Sequence, residues 1–306
     1  MRKKWNKTKV NNTIFNVVIY TILLILGILM LYPLIFVLSA SFSDPKAVAG
    51  GEMLLFPVKP SLDGYRYLMQ YEEIWVGYAN TIFYAVVGTV LNLLATLPGA
   101  YAMSRKDLKG RKYLMIFFMI TMYFSGGMIP GYLNIKSLGL LDTRSVILVN
   151  GLVSTFNLIV ARTYFMTAIP WEIQEAAVID GCNDFQIFGK IVFPLSKAIT
   201  VVMVLYYGIG RWNSYFTEMI YLKDRIKFPL QLFLREILTK STFAKTAMAD
   251  GRVFSAEEMM ALIKQADTAN MLKYGVIILS TLPMLIIYPF LQKYFEQGVM
   301  IGSVKG

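Results

Sequence analysis

The sequence contains no histidine and one cysteine, Cys182, and only 16% of its residues are charged. Without histidine there is no imidazole for general acid–base work and no usual ligand for a catalytic metal. Neither a catalytic residue nor a metal site is therefore expected. A single cysteine cannot close an internal disulfide, so nothing points to an oxidising compartment. Soluble domains average about 25% charged residues. The shortfall here is matched by an apolar excess, 56% of 306 residues, with a mean hydropathy of +0.54. These values exclude a disordered chain, argue against an ordinary cytosolic enzyme and leave a membrane protein as the class to test. In so apolar a chain, a net charge of +11 reads as basic flanks of membrane helices rather than as affinity for nucleic acid.

Six apolar runs follow one another, at 14–38, 78–103, 113–135, 146–165, 193–210 and 271–291. The first carries no charged side chain over about 25 positions and reaches about 37 Å as a helix, enough to cross a ~30 Å hydrocarbon core with tilt. Ser39-Ala40-Ser41 imitates a signal-peptide cleavage site, but the run before it is too long for one, and a retained helix is expected. Pro98, Pro130 and Pro283 lie in or beside the runs and are expected as kinks, which a membrane bundle tolerates where neighbours satisfy the freed carbonyl. Basic residues crowd the segment 1–13 and the link with Arg105, Lys106, Lys109, Arg111 and Lys112, whereas Asp44, Glu52, Asp63, Glu72 and Glu73 follow the first run. The positive-inside bias then places the N-terminus in the cytoplasm, and six spans return the C-terminus there. The expected fold is an all-α polytopic membrane domain over 14–293, between a cytoplasmic tail 1–13 and a cytoplasmic tail 294–306.

Two segments exceed what joining helices requires. In the cytoplasmic loop 166–192, Pro170 suits a first helical turn, Glu172 and Glu175 complement its dipole, and Gly181 suits the position just past its end. A second short helix over about 183–190 leads to Pro194. The pair reads equally as a docking element or as an interfacial link between spans. The second segment, 211–270, is predicted outside. It mixes charges with short apolar patterns, and Ser255 with Glu257 and Glu258 marks a helix start within it.

Glu175-Ala176-Ala177, three residues, Gly181, nine residues, then Ile191-Val192-Phe193-Pro194 resembles the EAA loop of binding-protein-dependent ABC importer permeases. Phe193 stands where leucine is usual in that pattern. The ending Tyr294-Phe295, then Gly298, Gly302 and Val304-Lys305-Gly306, looks like the close of the same family. Phe124-Ser125-Gly126-Gly127 through Pro130, with 138–143 after it, resembles the branch that imports complex oligosaccharides in Gram-positive bacteria.

The resemblance implies a type I, maltose-permease-like fold of six spans whose loop seats in an ATP-binding subunit and carries its motion to the spans. It implies Glu175, Ala176, Ala177, Asp180 and Gly181 as the ATPase-coupling residues. It also implies Gly298, Gly302 and Lys305 as a tail between ATPase subunits, and the outside loop as an element that reaches the binding protein. The partners implied are a second homologous permease, two ATP-binding subunits, an extracellular substrate-binding protein, membrane lipid and an oligosaccharide. This chain has no Gly-x-x-x-x-Gly-Lys-Ser/Thr run, so ATP and magnesium are expected on the partner ATPases and no cofactor on the chain itself.

For a sugar path, aromatic faces and placed polar groups are the chemistry to seek. Tyr123 and Phe124, Asn150 and Asn157, and Tyr206, Tyr207 and Arg211 are the candidates. Tyr and Trp also gather as interfacial belts, which is the expectation for Trp212 and Tyr215, and Asn92 equally suits a helix–helix hydrogen bond. The spans hold almost no charge, which disfavours a secondary transporter. An intramembrane enzyme would need a nucleophile and base that no motif supplies.

Overall fold

The structure, a computed structural model, describes residues 2–249 and 255–303, with side chains described from Thr13 to Pro289 except for part of 241–256. The described residues hold helices and no strand. In chain order these are α1 (Arg2–Ser41), α2 (Pro45–Ala49), α3 (Asp63–Met69), α4 (Glu72–Ser104), α5 (Arg111–Tyr123), α6 (Met128–Ser137), α7 (Arg144–Val149), α8 (Thr155–Ala168), α9 (Trp171–Ile179), α10 (Asp184–Gln186), a π-helical turn (Ile187–Val192), α11 (Phe193–Leu195), α12 (Lys197–Trp212), α13 (Phe216–Tyr221), a 3-10 turn (Arg225–Lys227), α14 (Leu230–Ala249) and α15 (Ala256–Ser303). The chain divides into two compact units, 1–70 with 236–280, and 71–235 with 281–306.

In the first unit α1 is apolar on every face from 14 to 34, and its side chains there are almost all exposed. Only a lipid-facing or partner-facing helix tolerates that pattern. The chain turns at its end through Ser39, whose hydroxyl donates to the Leu55 carbonyl at 2.6 Å, and Tyr65 donates to the Ser41 hydroxyl at 2.8 Å. A Cβ on Gly64 would lie 2.8 Å from the Met271 carbonyl oxygen, so the α3–α15 crossing in this unit admits only glycine.

In the second unit α4 is the central element. Small residues allow its crossings, with Ala100 and Ala161 fully buried where α4 meets α8. Leu97, Tyr101, Leu158, Phe165, Met203 and Tyr207 complete that core, which also takes in Ala177, Ile187 and Val192 of the 166–192 loop. A second core gathers Tyr84, Val146, Ile147, Leu222, Phe228 and Phe233.

The expected spans need correction. Among the described residues three helices are long and apolar enough to cross a membrane, within α1, α4 and α15, and five if two bent pairs each count as one. Run 113–135 is not one helix: α5 and α6 are separate and meet at 113° across Phe124–Gly127, where Gly127 has φ +88°. Run 146–165 is also broken, into α7 and α8 on either side of 150–154, with Gly151 at φ +70°. The run expected to begin at 193 begins instead at Lys197, after an 84° bend at Ser196.

Candidate functional site

Two places concentrate polar chemistry, the break between α7 and α8 and the loop between α8 and α12. A broken helix frees backbone carbonyls, and in a lipid-surrounded bundle these must find donors within the protein. The chain supplies Arg211 from the end of α12 and Asn92 from the middle of α4. Arg211 donates through Nε to Asn92 Oδ1 at 3.1 Å, through Nη1 to the Ile147 carbonyl, and through Nη2 to the carbonyls of Leu148 at 3.1 Å and Asn150 at 3.3 Å. Asn92, fully buried, donates to the carbonyls of Gly151 at 3.0 Å and Leu152 at 2.5 Å. Tyr207 shares a 2.7 Å hydrogen bond with Thr96 and accepts from the Ser154 amide at 3.1 Å. Gly88 leaves room for this fork, because a Cβ there would press on Arg211 Nε at 3.1 Å.

Arg211 and Tyr207 have their polar atoms on the α7–α8 break, and Asn92 has the structural role weighed as its alternative. Asn150 contributes its backbone carbonyl to the same cluster, and buried Asn157 sits in the first turn of α8, capped by Ser154. Tyr206 is partly exposed and packs 6.5 Å from Phe156. Tyr123 and Phe124 lie apart from these, widely exposed at the α5–α6 bend. Trp212 is buried against Tyr78.

The described part of the 211–270 segment is largely helical, and its stretch 226–230 docks on α4. Asn80 donates to the carbonyls of Ile226 at 2.7 Å and Phe228 at 3.0 Å, Tyr84 to that of Lys227 at 2.9 Å, and Thr81 accepts from the Leu230 amide at 2.8 Å. The helix start at Ser255 appears as a capping box with Glu258. Asp142 accepts from the amides of Lys223 and Asp224 and pairs with Lys227 at 3.3 Å. The Lys223 and Asp224 amides, with Lys227 in support, hold its carboxyl below the usual value of 3.8. A depressed carboxylate pKa contributes stability above the unfolded value and loses it as pH falls through the folded one. The thermal midpoint of the wild type should therefore drop below about pH 4 more steeply than that of Asp142→Asn, as melting at stepped pH would show.

The loop between α8 and α12 is built as its sequence suggests, with Pro170 as the N-cap of α9 rather than inside it. Gly181 adopts φ +79° and turns the chain, and Asn183 and Gln186 form a capping box that starts α10. Glu175 accepts from Trp171 Nε1 at 2.7 Å. Glu175, Ala176, Asp180 and Gly181 are exposed, but Ala177 is buried in this chain's own core. Of the two alanines only Ala176 is presented outward. Three apolar side chains that motif reading missed project from the same turn, Val178 (55% exposed), Ile179 (85%) and Phe185 (90%). Their signal in the sequence is an apolar residue beside Asp180 and another beside Asp184, in a stretch that is otherwise polar. Of the tail candidates, Gly298 and Gly302 have only their helical backbone described, and Lys305 lies outside the described residues.

Described residues that form helices and no strand, apolar helices long enough to cross a membrane and a loop with exposed apolar side chains together have the form of a transport permease. No protein-family model matches the chain. It is 38% identical to the polygalacturonan/rhamnogalacturonan transport system permease protein YtcP of Bacillus subtilis (strain 168), over 96% of this chain and 99% of that protein. It is 36% identical to protein LplC of the same organism, over 92% and 91% of the two chains. It also superposes, with a TM-score of 0.80 and 37% identity, on a chain from the crystal structure of a bacterial ABC transporter involved in the import of the acidic polysaccharide alginate, covering 93% of this chain and 98% of that one. The chain belongs to the permeases of carbohydrate ABC import systems. It is a transport subunit and not an enzyme.

Proposed function

We propose that this chain is one of two unlike permease halves of an ATP-driven importer for an acidic, uronate-containing oligosaccharide. Six spans carry it: α1, α4, the bent pair α5–α6, the broken pair α7–α8, α12, and α15, with both termini in the cytoplasm. The loop centred on Gly181 is the EAA coupling loop, and it seats in one of two ATP-binding subunits that hold ATP and magnesium, the other serving the partner permease. An extracellular binding protein delivers the sugar on the side of 211–270. The observation that carries the reading is the exposure of three apolar side chains, Val178, Ile179 and Phe185, on either side of the Gly181 turn, next in sequence to the buried Ala177 and Ile187 and near the exposed charges of Glu172, Glu175 and Asp180. Exposed apolar side chains among acidic ones suit a protein cleft better than a lipid face. The acidic substrate is supported by the two similar proteins whose names specify a cargo of uronate polymers.

The test is to purify the chain from its host under mild detergent and measure uptake in cells lacking its gene. An ATPase and a lipid-anchored binding protein should co-purify. Oligogalacturonate should compete for uptake and malto-oligosaccharide should not. Absence of an ATPase would overturn the coupling reading, and competition by the neutral sugar alone would overturn the acidic one.

A further inference from the structure

The link between α4 and α5 holds the coupling loop at both of its helices. Arg105, the residue after α4, has only 14% of its side chain exposed. Its fork is filled from two directions. Nε and Nη2 donate to the carboxylate of Asp107 on the same link, and Nη1 donates to Asp184 at 2.7 Å, on the first turn of α10. A planar guanidinium with donors on two edges can tie two carboxylates in one fixed geometry, which an ammonium cannot. The guanidinium also lies 6.0 Å over the ring of Tyr101, in the last turn of α4. Tyr101 in turn donates to the buried Gln174 of α9 at 3.3 Å and packs on Phe188 beyond α10. The next residue, Lys106, stands 5.7 Å over the Trp171 ring, and that indole donates to Glu175. On the membrane side, the end of α4 is gripped by Arg162 of α8, which donates to the Met103 carbonyl at 2.9 Å.

We propose that Arg105 is a positioning residue of energy coupling, the strut that fastens the second helix of the coupling loop to α4. A push on the loop then moves α4 as well as the α12 that follows the loop in sequence. The inference rests on the loop being the ATPase contact. From Arg105, α4 runs unbroken past Pro98 to Asn92, the residue that shares the α7–α8 break with Arg211. The strut therefore links the loop to a place in the second unit where the chain is already unwound, between α7 and α8. Asp184 is 76% exposed, and a pair with one partner that open adds little to stability. Its removal should leave the fold and the assembled complex intact, which separates positioning from mere support.

The experiment uses the complete complex in liposomes, with the binding protein and a labelled pectin hydrolysate that contains uronate and neutral oligomers. ATP hydrolysis and uptake are read together. Contact with the ATPase is read by a maleimide–amine cross-linker on Cys182, the chain's only cysteine and a residue of the loop. For Arg105→Met the expected result is a fall of about tenfold in sugar moved per ATP hydrolysed, within the range of coupling between sites, with cross-link yield unchanged. Asp184→Asn should reproduce it, and Arg105→Lys should recover part of it. Unchanged uptake per ATP in Arg105→Met, or a fall that merely tracks loss of cross-linked complex, would overturn the strut. Absence of the cross-link in the wild type would instead overturn the coupling-loop reading beneath it.

Discussion

Arg211→Met is expected to abolish the folded permease, not merely to slow it. The substitution keeps a long apolar stem and removes every donor that Arg211 places on Asn92 Oδ1 and on the carbonyls of Ile147, Leu148 and Asn150. Each buried acceptor left unpaired costs about 1–3 kcal/mol, and no water is at hand within a bilayer to make up the loss. Three of these acceptors are at least partly buried, that of Asn150 being exposed, and together they cost about 3–9 kcal/mol, comparable to the stability of a typical domain, about 5–15 kcal/mol. Arg211→Lys should rescue poorly, because one ammonium cannot reach groups spread along the break as a planar fork does. Gly88→Leu should be nearly as harmful from the other side, since its Cβ would enter the space of Arg211 Nε. The measurements are the yield of monodisperse protein in detergent and the thermal midpoint. A wild-type midpoint for Arg211→Met would show that the break is held by something else.

The same cluster marks where sequence reading stops. The spans of α1, α4 and α15 were legible because each is a continuous apolar run whose length alone suffices, and Pro98 leaves α4 unbroken. The breaks were not legible. Gly127 and Gly151 look like any membrane glycine until φ is known, and the break at 150–154 depends on an arginine and an asparagine from two other helices. Arg211 was noticed for its aromatic neighbours, yet which acceptors it meets is a fact of packing. The loop between α8 and α12 was more legible, because Pro170, Gly181 and Asn183 act locally on the backbone they occupy. Facing was not: Ala176 and Ala177 are equivalent as letters, and only burial against the α4–α8 core sends the second inward. Arg105 read as one of five topology-setting charges, because its partner Asp184 is distant in sequence.

That facing makes the second large effect specific. Ile179→Asp combined with Phe185→Asp should leave a folded permease that no longer retains its ATPase. Both side chains are among the most exposed in the chain, at 85% and 90%, so their replacement opens no cavity and strands no buried group. If a cleft of the ATPase covers them, each contributes about 1.5–3 kcal/mol by its burial. Two new carboxylates would add the cost of desolvating charge in an apolar socket. The loss of affinity should exceed a hundredfold, since about 2.7 kcal/mol already corresponds to that ratio. Uptake should fall with it, while the thermal midpoint of the isolated permease stays at the wild-type value. The expected split, a stable permease without its ATPase, differs from the Arg211→Met outcome, where nothing folded is left to bind. It differs also from Arg105→Met, where the ATPase stays bound and turns over with less sugar moved. Retention of the ATPase by the doubly substituted chain would mean that the contact lies elsewhere on the loop, and the exposed apolar side chains would then need another partner.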